Sequence, residues 1–187
     1  MLTDRLPSAR VTTPDRIESA FDDQTDLVVV ASWRPAPALC ERVDELAHAS
    51  GIPWLPVVDE HPSLLIGPCV TPRTGPCFRC YADRRAQHDA HYEDTQAVHR
   101  AFDRAPGLGP SGYLPGHARV AAGVVLRVLG RPAEHTGSVV RVSKQDMSLH
   151  RHTVVPCHGC PRCLPEVERP SLRDLLDPRS EESVRVS

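Results

Sequence analysis

Five of the seven cysteines in this chain fall into two short clusters, Cys77-Phe78-Arg79-Cys80 and Cys157-His158-Gly159-Cys160-Pro161-Arg162-Cys163. A structural zinc ion takes four soft or borderline ligands in a tetrahedron, and a C-x-x-C turn supplies two thiolates at once. Two such turns complete the set, so the spacing predicts a zinc held by Cys77 and Cys80 from one segment and Cys160 and Cys163 from the other. The second cluster also offers Cys157 with Cys160 as a rival pair. Pro161 rigidifies the loop between Cys160 and Cys163 and favours Cys163 as the fourth ligand, with Cys157 as a spare thiol beside the site. A redox C-x-x-C needs only one pair at a helix start, which makes two pairs a better fit to metal. The clusters lie about eighty residues apart, so an ion shared between them would tie the end of the chain to its middle. Cys40 and Cys69 have no partner at ligand spacing and read as small core residues.

Other groups carry weaker signals. Gly107-Leu108-Gly109-Pro110-Ser111-Gly112 fits G-x-G-x-x-G, a phosphate-cradling pattern, but Arg100 to Pro106 before it is too polar for the strand that such a loop follows. Pro110 also removes a backbone N–H that phosphate would need. The stretch therefore reads as a surface connection. His88 and His91 stand three apart on an expected helix face, and His150 and His152 share one face of an expected strand. Both pairs are read as solvated surface histidines. No Ser-His-Asp or Cys-His arrangement emerges from the spacing, so no catalytic and no cofactor-binding residue is assigned.

The elements that must position the cysteines follow from hydrophobic pattern. Asp26 to Ser32 is a short β-branched run of the kind found in buried parallel strands. A helix follows, started by Pro35 or Pro37, with Leu39, Val43 and Leu46 on its apolar face and Gly51 at its end. Ile52 to Val58 and Ser63 to Gly67 read as two further strands, which the prolines push toward an edge or an early break. Strand, helix and strand make a βαβ unit, and a parallel sheet is expected. The prolines and Gly75 between Pro68 and Pro76 deliver the first C-x-x-C onto a loop, and Tyr81 to His99 reads as helix. A second strong helix runs from about Pro115 to Leu129, with Val120, Val124, Leu126 and Val128 inward. Ser138–Val142 and Leu149–Val155 form a hairpin across Ser143-Lys144-Gln145-Asp146. The charged tail beyond Pro165 adds at most one short helix.

Composition narrows the partners. A chain of 187 residues supports one core, and its net charge of −2 with 4% aromatic residues offers neither a basic groove nor a base-stacking platform for nucleic acid. Met1 to Arg16 lacks the apolar segment of a signal peptide, and the longest apolar run, Val120 to Leu129, is far short of the roughly 20 residues that span a bilayer. A cytoplasmic protein that engages no membrane is expected, and in a reducing compartment paired cysteines point to metal rather than disulfides.

Several stretches in order, namely Asp26-Leu27-Val28-Val29-Val30, Gly51-Ile52-Pro53-Trp54-Leu55-Pro56-Val57, Gly67-Pro68, Gly75-Pro76-Cys77-Phe78-Arg79-Cys80-Tyr81 with Arg84-Arg85, and His152 with Cys160-Pro161-Arg162-Cys163, carry a family likeness. Across about residues 20 to 165 the chain resembles the ThiF-like (ubiquitin-activating-enzyme-like) proteins of thiazole/oxazole-modified microcin biosynthesis, the cyclodehydratase partner or leader-peptide-binding proteins. The resemblance implies an α/β fold: a partial ThiF-like, Rossmann-type sheet with flanking helices, a C-terminal β-hairpin and a structural zinc on Cys77, Cys80, Cys160 and Cys163. It implies an extension at residues 1–20, a ThiF-like domain at 21–165 lacking the amino-terminal part of that fold, and a charged tail at 166–187. It further implies a non-catalytic partner that binds a precursor peptide or assists a YcaO-type cyclodehydratase, offers a strand edge near Val57 or Leu65 to the peptide, and forms a homodimer as many ThiF-like proteins do. The alternative is an adenylating component whose ATP-binding half comes from another chain.

Overall fold

The computed structural model describes residues 8–105, 107–109 and 112–163. Expectations for the tail from 164 onward, and for Pro110 and Ser111 of the glycine-rich stretch, fall outside the described residues.

The β-branched run forms β1 (Val28–Ser32), which pairs in parallel with β2 (Trp54–Glu60) across the helix α1 (Pro37–Ser50). Pro37 sits in the first turn of α1, and Gly51 ends it in the left-handed conformation with φ 80°, its N–H donating to the Ala47 carbonyl. The βαβ unit is as expected, but the parallel sheet stops there. His61 and Pro62 alone separate β2 from β3 (Ser63–Ile66), and so short a link permits only an antiparallel return. A hairpin of β4 (Ser138–Ser143) and β5 (Leu149–Thr153) completes a five-stranded sheet in the order β1-β2-β3-β4-β5.

The prolines do not push β2 to an edge. It lies between β1 and β3, and Pro56 is fully buried. Its carbonyl accepts a bond from Gly67 N–H at 2.8 Å, so the N–H that proline lacks would face the point where β3 has already ended. Gly67 itself is irreplaceable: its φ is 111°, and a Cβ there would stand 2.3 Å from the Ser138 carbonyl oxygen. Because β2 and β3 are both internal, the expected strand edge near Val57 or Leu65 does not exist.

Helices cover both faces of the sheet. On one, Cys40, Val43 and Ala47 of α1 pack with Val28, Val30, Trp54 and Val70, joined by Ile17 from a 3₁₀ stretch at Pro14–Ala20. On the other, the helix later in the chain, Pro115–Leu129, packs Ala121, Val125 and Val128 against Leu55, Val57, Leu64, Ile66, Val140 and Val142. Its span is the one expected, but its inward stripe is rotated. Leu126 is 49% exposed and Val120 and Val124 are only partly buried, because Ala121, Val125 and Val128 follow the i, i+4, i+7 spacing that faces the sheet. Small alanines let this helix lie close to the strands.

The polar stretch after the first C-x-x-C divides into two helices, α2 (Phe78–Gln87) and α3 (Tyr92–Arg104), which makes Pro115–Leu129 the fourth, α4. None of the described helices is long and apolar enough to cross a membrane.

Candidate metal centre

The first C-x-x-C does not sit on a loop. Cys77 is the residue preceding α2, with extended φ −82° and ψ 172°, and Cys80 lies in the first turn. That position puts Cys77 and Cys80 at the positive dipole end of a helix, a setting that favours thiolate. The second cluster arrives after β5 and turns at Gly159, where φ is 68°.

Four sulfurs converge. Cys77 Sγ lies 3.7 Å from Cys80 Sγ and 3.6 Å from Cys160 Sγ, and Cys80 Sγ lies 3.4 Å from Cys163 Sγ. All four ligand atoms are within 4.8 Å of one another, all four residues are buried, and all are free thiols. Sulfurs bound at ~2.3 Å to one tetrahedral ion would be separated by about 3.8 Å along each edge. The cluster is thus of a size to hold one metal ion.

Cys157 stands beside this group rather than in it. Its backbone N–H donates to Cys80 Sγ at 3.2 Å, and its carbonyl accepts from the Cys160 N–H at 3.2 Å. Its thiol points to the Cys80 carbonyl at 3.7 Å. Arg84 of α2 fixes the approach by donating to the carbonyls of Val155 and Pro156. The spare thiol thus supplies a backbone donor to a ligand sulfur, a common supporting bond around metal-bound thiolates.

Electrostatics without an ion oppose ionisation at two of the positions. Burial pushes the Cys163 thiol up to about 12 and raises Cys77 well above its ordinary value. At Cys160 burial acts in the same direction, but N–H donors from Cys163 and Arg162 outweigh it and bring the thiol down to about 7. A divalent cation is the natural counter-charge that lets such a cluster exist as thiolates.

What the sequence reading missed is how the cluster is fastened to the domain. Asp44 of α1 is fully buried. Its Oδ1 accepts from Trp54 Nε1 at 3.0 Å and from the Phe78 N–H at 3.1 Å, and its Oδ2 receives Arg162 Nη1 at 2.8 Å. Arg162 also reaches Glu41 at 2.7 Å and Glu45 at 3.5 Å. One carboxylate therefore joins α1, β2, the start of α2 and the second cysteine turn. The available signal was periodic: Asp44 stands between Val43 and Ala47 on the apolar stripe, where an acid must be buried and must therefore be paired.

A separate cleft of about 420 Å³, counting the open solvent at its mouth, lies over the carboxyl-terminal half of β2 beside the start of α1. Pro37, Pro56, Phe78 and Tyr81 give it apolar walls, and His99 lines it too. At its polar end Arg85 clamps Glu60 with two contacts of 2.8 Å and lies over the Tyr81 ring at 5.7 Å. Burial lowers the pKa of His99.

The remaining expected groups separate. His88 closes α2 and His91 precedes α3, so they share no helix face. His150 and His152 are exposed on β5. The glycine-rich stretch follows α3 rather than a strand, and Gly109, with φ 96°, lies so close to Phe102 that a Cβ would approach its ring to 2.8 Å.

No protein-family model and no curated protein sequence matches the chain. Its fold, however, is that of several solved proteins. The heterocyclase TruD superposes with a TM-score of 0.62 at 18% identity, covering 100% of this chain and 27% of TruD. A heterocyclase in complex with substrate and cofactor gives 0.59 at 19%, over 87% of this chain and 22% of that one. Escherichia coli MccB with ATP gives 0.53 at 14%, over 83% and 44%. The chain thus spans about a quarter of the heterocyclases and under half of MccB, and it has the α/β fold that the resemblance implied.

Proposed function

We propose that this chain is a zinc-stabilised, non-catalytic partner protein in the biosynthesis of azoline- and azole-containing peptides, working in the cytoplasm by binding a precursor peptide or assisting a YcaO-type cyclodehydratase. The observation that carries the reading is the convergence of Cys77, Cys80, Cys160 and Cys163 within a fold shared with heterocyclases over nearly the whole described chain. On this reading those four thiolates hold the zinc and its role is structural, because all four ligand positions are filled by protein and none is left for substrate. Asp44 and Arg162 keep the zinc-bearing turn pressed on α1. A pull-down of the precursor and the YcaO-type enzyme by the tagged chain, with and without the precursor's leader, tests it. Capture of either supports the reading, and capture of neither contradicts it.

A second reading, an adenylating component acting with another chain, draws support from the cleft at the carboxyl-terminal half of β2 and the start of α1, close to the usual ligand position in open α/β sheets. MccB, one of the proteins sharing the fold, has been solved with ATP. Titration calorimetry with ATP separates the two readings, since micromolar binding favours the second.

A further inference from the structure

Strand β5 is the outermost of the sheet, and all five of its residues are exposed. The ladder with β4 fixes which of its backbone groups are free. Ser143 N–H donates to the Ser148 carbonyl at 2.9 Å and Val154 N–H to the Gly137 carbonyl at 2.8 Å, so those pairs are hydrogen-bonded. Antiparallel pairs alternate, and the register places Leu149, Arg151 and Thr153 in the intervening non-bonded positions opposite Val142, Val140 and Ser138. Their N–H and C=O groups therefore point outward, and among the described residues no strand meets them.

The permanent charges along this edge are those of arginine. His150 and His152 share a face with the exposed Arg141 of β4. On the opposite face Arg151 lines a hollow together with Arg127 and His135. Asp146 in the turn, which accepts from the Ser148 hydroxyl at 2.8 Å, is a carboxylate at the end of the strand, outside the Leu149–Thr153 ladder.

We propose that the β5 edge is a docking site for an acidic, extended peptide segment, which adds to the sheet as a sixth strand through the backbone groups of Leu149, Arg151 and Thr153. Strand addition draws affinity from main-chain bonds and specificity from alternating side chains, and here the side chains select carboxylates. A second copy of this chain fits poorly. Two β5 edges paired antiparallel about Arg151 would set Arg151 against Arg151, and like charges directly opposite are destabilising. The charge that keeps copies apart is thus complementary to an acidic strand. The assignment deepens the reading as a peptide-recruiting partner, and it rests on that reading only for the identity of the peptide.

The test is fluorescence anisotropy of the full chain at low salt with a labelled, end-blocked octapeptide alternating Glu with Val. Comparison peptides replace Glu by Lys, or carry N-methyl groups on alternate amides. The expected result is binding of the Glu peptide alone, about tenfold or more weaker for Arg151→Glu, with slowed hydrogen exchange at Leu149, Arg151 and Thr153. Arg151 is exposed, so an unchanged unfolding curve checks that the variant keeps its fold. Equal binding of the N-methylated peptide, indifference to Arg151→Glu, or burial of this edge in a dimer would overturn the proposal. Failure here alongside capture of the precursor removes only this site. Binding of the acidic peptide without capture of precursor or enzyme keeps the site and removes the broader reading.

Discussion

Replacing Arg162 by methionine tests how the cysteine cluster is held to the domain. Methionine keeps much of the side-chain length and removes the guanidinium, so Asp44 stays fully buried with the Trp54 indole N–H and the Phe78 N–H as hydrogen-bond donors and His48 Nδ1, at 3.8 Å, as the remaining basic group beside it. A buried charge stripped of its bonded cation in this way costs about 3–5 kcal/mol. Glu41 and Glu45 lose a partner as well, but both remain in reach of solvent and add little. Against a typical stability of ~5–15 kcal/mol the loss is severe, and at ~2–4 °C per kcal/mol it lowers Tm by roughly 6–20 °C. Asp44→Asn keeps an acceptor for Trp54 and Phe78 and loses mainly the charge-assisted bond, a cost of about 1.5–3 kcal/mol. The double variant leaves no orphaned charge, so its cost falls short of the sum by at least about 1 kcal/mol. Urea titrations followed by tryptophan fluorescence and circular dichroism, with metal content measured in parallel, supply all three numbers. A cost below about 1 kcal/mol for Arg162→Met, or strict additivity in the double variant, would refute the claim that Asp44 anchors the cluster through Arg162.

Cys157→Ser keeps the backbone donor to Cys80 and retains stoichiometric metal by elemental analysis, whereas Cys77→Ser loses metal and loosens the whole domain rather than one surface. Val125→Ala costs about 2 kcal/mol in denaturant titrations, while Leu126→Ala, on the solvent side of the same helix, stays within about 0.5 kcal/mol. Gly67→Ala costs more than about 2 kcal/mol, because its Cβ would overlap the Ser138 carbonyl and its φ is positive. A soluble, equally stable Gly67→Ala protein would contradict the close approach of β3 and β4.

The parts of this fold that could be read in advance are those written in local pattern. The Val28–Val30 run, the Pro37 start and Gly51 stop of α1, the span of α4 and the hairpin turn at Ser143–Asp146 all follow from short-range chemistry. The cysteine spacing likewise picked out the two C-x-x-C pairs, since that geometry is local, while their meeting across 83 residues came from the chemistry of a four-thiolate site. What escaped depends on partners distant in sequence. The place of β3 inside the sheet turns on its pairing with β4 across more than seventy residues, which no proline rule reveals. Which side of α4 faces inward was misjudged because Ala121, a weak hydrophobic signal, packs closely on the sheet while the bulkier Leu126 does not. Asp44 and Arg162 lie 118 residues apart, and an acid on an apolar stripe says only that some cation must come to it.

The most direct measurement is metal analysis of the purified chain joined to X-ray absorption at the zinc edge. The account predicts one zinc per chain with four sulfur neighbours at ~2.3 Å, and loss of cooperative unfolding once a strong chelator withdraws the ion. A chain that is pure, folded and free of stoichiometric metal, or that unfolds identically with and without chelator, would contradict it.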